Sequence, residues 1–297
     1  MDGESIVIKQ ILFIVLAIIF SSLIALAGGS GSATFNGVPI FIICASVSFI
    51  LHWLAFIPAY VFQTEHYFDL IGSISYLVAM FIAVALSPSL DLRGVIVAAM
   101  VCVWALRLGS FLFMRVKKAG FDRRFTVMKT MFVRFLLTWT LGGTWVFITF
   151  AAGLTAITSE KHTDADFFLL LGGLLWLAGF SIEVIADKQK TVFRANTENA
   201  GKFIRTGLWS ISRHPNYFGE MMLWLGIAVI ALPTLVGWQF ATLISPIFVI
   251  LLISKVSGVN LLEANANERW GSDSEYQKYV ASTPVIVPFL GRRTHHT

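Results

Sequence analysis

The eight residues Arg213-His214-Pro215-Asn216-Tyr217-Phe218-Gly219-Glu220 carry most of the chemistry this chain offers. Five of them can hydrogen-bond or carry charge, and they run straight into the apolar residues 221–232. Arg213 is a permanent positive charge, His214 presents two ring nitrogens, and Asn216, Tyr217 and Glu220 add donors and acceptors. Pro215 fixes its own φ and biases His214 away from helix, so a helix is predicted to start near Pro215. A helix start exposes free backbone N–H groups that attract anions. With Arg205 eight residues upstream, the segment has the makings of a pyrophosphate cradle at the edge of a membrane core. The competing reading is an interfacial elbow that anchors a span through its bases and aromatic rings.

A second set precedes it. Glu183, Asp187, Lys190 and Arg194 follow at intervals of four, three and four residues, which stacks them on one helical face. Such a face suits a nucleotide cofactor: carboxylates accept from ribose hydroxyls or an amide, and the two bases meet phosphates. It equally suits a helix end whose charges reach out to water in i,i+4 pairs. Other chemistries lack their signatures. No G-x-G-x-x-G lies in a strand–turn–helix setting, and there is no P-loop, H-E-x-x-H, C-x-x-C or serine elbow. Gly28 to Ser32 reads as a linker, His295-His296 as a tail, and Cys44 and Cys102 as free thiols in apolar runs, so no metal is expected.

The elements that must position these residues are membrane helices. Of 297 residues, 57% are hydrophobic and 13% charged, with a mean hydropathy of +0.77. A soluble domain carries about 25% charge. The fold class is therefore an all-α polytopic membrane bundle of seven or eight spans. Apolar runs place spans near 11–27, 38–62, 68–87, 94–114, 131–157, 167–186 and 236–254. The shorter run 219–232 is either a tilted helix extended by the polar cluster before it or half of a hairpin turned at Leu232-Pro233-Thr234. Acidic Met1-Asp2-Gly3-Glu4 argues for a retained first span over a cleaved signal peptide. Residues 1–37 read as a first span with an outer linker, 38–290 as the membrane domain and 291–297 as a polar tail.

The net charge of +5 belongs to loops beside spans rather than to a nucleic-acid surface. Residues 115–134 hold seven bases and one acid, and 187–218 six bases and two acids, whereas 158–166 hold Lys161 against three acids. The positive-inside rule puts the first two segments and both termini in the cytosol and the third outside.

Gly207-Leu208-Trp209 followed by Ser212 to Glu220 closely resembles the signature of the steroid 5-alpha-reductase C-terminal family, and in particular its uncharacterised membrane branch. Trp104 to Gly109, Asp122-Arg123-Arg124-Phe125 and Ser257 to Glu263 also resemble that branch, and the likeness covers roughly residues 40–290. The resemblance implies an all-helical membrane fold with NADPH in a cytosol-facing cavity among the C-terminal spans. Hydride would go to the β-carbon of an enone in a lipid-soluble substrate while an acid polarises the carbonyl oxygen. By position it implies cofactor contacts from Asp187, Arg194, Asn216 and Glu220, with Lys255 as the basic residue of the last span. Glu183 stands where the family has Asn, and Glu263 where it has Tyr. With the residues read directly, the expected cofactor set is Glu183, Asp187, Arg194, Arg205, Arg213, His214, Asn216, Tyr217, Glu220 and Lys255.

The family's catalytic Glu has candidates in Gln63, Glu65 and Asp69, while its catalytic Tyr is replaced by Trp104. Tyr67 or Tyr76 would supply a substitute phenol, and Arg107, a charge inside an apolar span, needs a partner, for which Asp69 is preferred. The expected catalytic set is Glu65, Tyr67, Asp69 and Arg107. The alternative function is an S-adenosylmethionine-dependent methyltransferase, since the isoprenylcysteine carboxyl methyltransferases share an Arg-His-Pro-x-Tyr element. A sterol-sensing scaffold with a dead site is the third. Expected partners are a lipid-soluble substrate and membrane lipids, without nucleic acid. The host membrane would be the endoplasmic reticulum in a eukaryote or the inner membrane in a bacterium.

Overall fold

The computed structural model describes residues 3–120, 125–256 and 258–290. Asp122, Arg123 and Arg124 of the family-like motif, Ser257 and the 291–297 tail lie outside the described residues. Among the described residues, eight helical stretches are long and apolar enough to cross a membrane, and the fold is a helical membrane bundle, as expected. The helices are α1 Gly3–Gly29, α2 Ile40–Val61, α3 Phe68–Leu86, α4 Leu92–Ala119, α5 Phe132–Thr158, α6 Phe167–Ala195, α7 Pro215–Ala231, α8 Ile244–Leu251, α9 Val259–Trp270 and α10 Ser274–Ser282. They fall into two compact units, Met1–Leu170 with Ala228–Ser245, and Leu171–Ile227 with Pro246–Thr297.

The first unit is built on α5, which packs against α1, α2, α3 and α4. Its most apolar window is 83% buried, well above the other spans, so this helix is the unit's core. Small residues allow the close approach: a Cβ on Gly143 would sit 3.3 Å from the Ser48 carbonyl oxygen of α2. The buried hydroxyls of Thr140, Thr144, Thr155 and Thr158 donate to the carbonyls four residues back, which satisfies them without a neighbouring helix. Helix α4 is capped at both ends. The Asp91 side chain accepts from the Gly94 amide at 2.7 Å, and Gly120 takes the left-handed conformation (φ 80°) at the far end. Arg93 in its first turn is buried, donating to the Ile230 and Asp164 carbonyls at 2.6 and 3.1 Å and pairing with Asp166 at 2.9 Å.

Three details depart from the sequence reading. The linker after α1 closes in a two-stranded hairpin, Thr34–Phe35 with Val38–Pro39, because Asn36-Gly37 adopts the positive φ (50° and 81°) that a tight hairpin turn needs. Helix α6 continues past the expected end at 186 to Ala195. Its 29 residues span about 44 Å, more than a bilayer core, so its last turns project beyond it. The final span does not stop at 254. A π-helical turn at Leu252–Val256 follows α8, and α9 then extends from Val259 to Trp270. The short run at 219–232 is resolved as a helix extended by the polar cluster, since α7 begins at Pro215.

Candidate active site

In the second unit, α6 and α7 run antiparallel with their backbones in contact. Gly172 and Gly179 on α6 are seven residues apart, as are Gly219 and Gly226 on α7. A Cβ on Gly219 would lie 2.5 Å from the Gly179 carbonyl oxygen and 2.7 Å from the Glu183 nitrogen. One on Gly226 would lie 2.6 Å from the Gly172 carbonyl oxygen. Only glycine permits this approach, and it sets the polar start of α7 against the polar end of α6. Glu183 and Asp187 are both buried, one turn apart. Asn216, in the first turn of α7, donates from Nδ2 to Asp187 Oδ1 at 3.2 Å. Glu220 follows Asn216 by one turn and is half-buried.

The connection between the two helices is docked along the end of α6. Trp209 packs on Ala186 and Ile204 and donates from Nε1 to the Ala186 carbonyl at 3.1 Å. The Lys190 ammonium lies over the Trp209 ring at 4.4 Å. Gln189 accepts from the Leu208 amide at 3.0 Å, a contact made possible by the positive φ (62°) of Gly207. Ser212, fully buried, donates to the Ile286 carbonyl at 2.7 Å and accepts from the His214 amide at 3.2 Å.

Beside this lies a charge cluster centred on Glu263 of α9. Arg213 Nη1 meets one carboxylate oxygen at 2.5 Å, and His214 Nε2 meets the other at 2.7 Å. Burial pushes the His214 pKa below its usual value, against the upward pull of Glu263 and with help from Lys190 and Arg213. The neutral ring then donates through Nε2–H to Glu263, which leaves Nδ1 as a buried acceptor. That Nδ1 and the Arg213 Nε–H have no hydrogen-bond partner among the described residues. The Tyr217 ring stacks on His214 at 5.7 Å and 14°. Unmet buried polar atoms of this kind are costly, and they are the strongest sign in the unit that a polar ligand completes it.

The structure thus brings Asp187, Asn216, Arg213, His214 and Tyr217 into one region with Glu183 and Lys190. Arg194 and Lys255 are exposed, the latter in the π-helical turn. Arg205 points to α10, where it pairs with Glu275 at 2.8 Å.

The expected catalytic residues lie in the first unit. Glu65 is buried and pairs with Lys129 Nζ at 2.7 Å. Tyr67 leans on Trp139 with ring centroids 6.0 Å apart, and its hydroxyl reaches the Ala55 carbonyl only at 3.5 Å. Burial raises its pKa, which keeps the phenol protonated. Asp69 meets Arg115 at 3.8 Å, and Arg107, about two turns earlier on α4, lies over the Phe111 ring at 5.3 Å. Trp104 and Tyr76 are buried edge to face at 5.1 Å. Sequence reasoning passed over three of these partners. Lys129 and Arg115 were counted only as loop charge, and Glu263 only as a departure from the family pattern.

Fold and site together define a multi-pass helical membrane protein. Residues 55–283, most of the chain, match the family described as "Protein of unknown function (DUF1295)", and the chain belongs to that family. Among curated proteins it is 26% identical over 135 residues to 3-oxo-5-alpha-steroid 4-dehydrogenase 1 of Rattus norvegicus, covering 46% of each chain. It is 25% identical over 136 residues to Steroid 5-alpha-reductase DET2 of Arabidopsis thaliana, covering 44% of this chain and 46% of the other. It is also 30% identical over 95 residues to Probable O-methyltransferase ustE of Ustilaginoidea virens, covering 31% of this chain and 34% of that one. The chain thus spans less than half the length of these relatives. No solved structure matches it at a significant level.

Proposed function

We propose that this protein is an NADPH-dependent membrane oxidoreductase that reduces a carbon–carbon double bond of an enone in a steroid-like or other lipid substrate. One observation carries the reading: the Asn216–Asp187 hydrogen bond, which joins the buried carboxylates of α6 to the helix start of α7. The residues present suit a dinucleotide. Glu183, Asp187 and Glu220 offer acceptors to ribose hydroxyls. Lys190 and Arg194 offer charge to phosphates, and the first turn of α7 offers free N–H groups. The orphaned His214 Nδ1 and Arg213 Nε supply one acceptor and one donor to a bound polar group. Names of relatives that include steroid dehydrogenases and reductases support the same reaction class.

When bound, the cofactor supplies hydride. This chain's task is to hold a proton for the substrate oxygen and keep water away from the reaction. Glu65, paired with Lys129, accepts hydrogen bonds rather than giving a proton. Tyr67 keeps its phenolic proton and engages it only loosely, so it is our choice of acid. Trp104 cannot serve, because an indole N–H does not transfer its proton in this way.

The test is thermal stabilisation of detergent-solubilised protein by NADPH, NADH and S-adenosylmethionine side by side. NADPH at about 100 times its Kd should add about 2.7 kcal/mol to stability. Stabilisation by S-adenosylmethionine alone would replace this reading with the methyltransferase one.

A further inference from the structure

The C-terminal segment of the second unit carries a polar cavity beside an exposed apolar edge, and neither belongs to the cofactor region. The cavity, about 250 Å³, is lined by Arg205, Ser210, Glu275, Lys278, Tyr279, Ser282 and Thr283. Glu275 bridges its two bases, with 2.8 Å to Arg205 and 3.1 Å to Lys278. Tyr279 closes the floor by donating to the Trp209 carbonyl at 2.6 Å. A space of this size is smaller than the ~300–1,000 Å³ of sites for drug-sized ligands, so it takes a phosphate and a short polar group, not a dinucleotide. Two bases against one acid favour an anion.

Chain residues 284–290 leave the cavity directly after Ser282 and Thr283. Their exposure alternates: Pro284 is buried and Ile286 and Pro288 are half-buried, while Val285, Val287 and Phe289 are exposed, as is Leu290. The inward side is pinned. The Arg213 amide donates to the Pro284 carbonyl at 2.9 Å, and the Ser212 hydroxyl donates to the Ile286 carbonyl. Residues 212 and 213 immediately precede the membrane helix that starts at Pro215. The tail is therefore pinned beside the start of that apolar helix. Val285, Val287, Phe289 and Leu290 thus form an exposed apolar edge of the kind that interfacial segments bury among acyl chains.

We propose that this face binds one anionic phospholipid. Its phosphate sits in the cavity between Arg205 and Lys278, displacing Glu275 from the bases, and its acyl chains lie along Val285, Val287 and Phe289. The apolar edge is what distinguishes a lipid from free phosphate, and the excess of bases is what distinguishes an anionic lipid from a zwitterionic one.

The experiment uses full-length protein, delipidated in mild detergent. It is titrated with phosphatidylglycerol, phosphatidylcholine and inorganic phosphate, with adducts read by native mass spectrometry. One phosphatidylglycerol should be retained in preference to phosphatidylcholine. Lys278→Gln and Arg205→Gln should each weaken it about five-fold. Glu275→Gln, which removes the competing carboxylate, should tighten it. Phe289→Asn should weaken lipid retention without changing phosphate binding. Three results would each overturn the proposal: equal retention of the two lipids, inorganic phosphate binding as tightly as phosphatidylglycerol, or no opposite response of Glu275→Gln and Lys278→Gln. Lys278 and Glu275 are largely exposed, so both variants fold, and the paired signs stay readable if Arg205→Gln does not express.

Discussion

Asp187 and Asn216 are the residues on which the cofactor reading stands or falls. Asn216→Ala removes a donor from a buried carboxylate, which costs about 1–3 kcal/mol. Folded domains typically hold about 5–15 kcal/mol of stability, so Asn216→Ala and Asp187→Ala should leave folded protein while abolishing NADPH stabilisation in a thermal shift. Equal loss of both would favour a structural anchor. His214 predicts a pH effect. Its folded pKa is depressed, so below the ordinary imidazole value of about 6.5 the unfolded chain takes up a proton that the folded one refuses. Stability contributed by the neutral ring is therefore present at neutral pH and lost as pH falls through that window towards the folded pKa. Melting curves between about pH 7 and 5.5 should show a steeper decline for the wild type than for His214→Gln. The ring faces Glu263, Arg213 and Lys190, so the comparison of the two proteins, not the absolute slope, is the readout. At this scale the sequence was half legible. Spacing of four, three and four aligned the α6 face, but Glu263 with His214 and Lys129 with Glu65 meet across 49 and 64 residues, and no local pattern announces such pairs.

Helices place these residues, and their glycines decide how closely. Gly219→Ala would drive a methyl into the Gly179 carbonyl and the Glu183 nitrogen, both backbone atoms that cannot swing away. The expected cost is about 1–3 kcal/mol, with NADPH stabilisation falling further because Asn216 moves off Asp187. Gly72→Ala in α3 is the control. A Cβ there meets nothing within 4 Å, so stability should hold or rise by about 1 kcal/mol. Denaturation in detergent, followed by circular dichroism for both variants, separates a packing effect from a general intolerance of alanine. Span positions were readable from apolar runs, and the α7 start from Pro215. Ends were not. Charged residues at i,i+4 carried α6 nine residues past its apolar stretch, and the π-helical turn before α9 left no hydropathy signal. The heptad spacing of Gly172, Gly179, Gly219 and Gly226 was visible in the sequence, yet it means nothing until the two helices are known to pair.

Over the whole chain, the distribution of charge predicts the orientation. Residues 187–218 hold six bases and two acids, and residues 158–166 hold one base and three acids, on opposite ends of the same helix α6. Basic loops are retained in the cytosol, so the end bearing Asp187 should face inward and the end near Asp166 outward. Lys161 and Lys202 report on the two sides, since both are exposed. The natural thiols do not interfere once removed: Cys44 is buried and Cys102 half-buried, and Cys44→Ala with Cys102→Ala makes the background. On that background Lys161→Cys should react with a membrane-impermeant maleimide in intact cells. Lys202→Cys should react only after the membrane is opened. The labelling bears on chemistry as much as on topology, because dinucleotide is a cytosolic solute. A reversed pattern would put Asp187, Asn216 and Arg213 on the side without it, and the reductase reading would fail even if the purified protein bound NADPH in a tube.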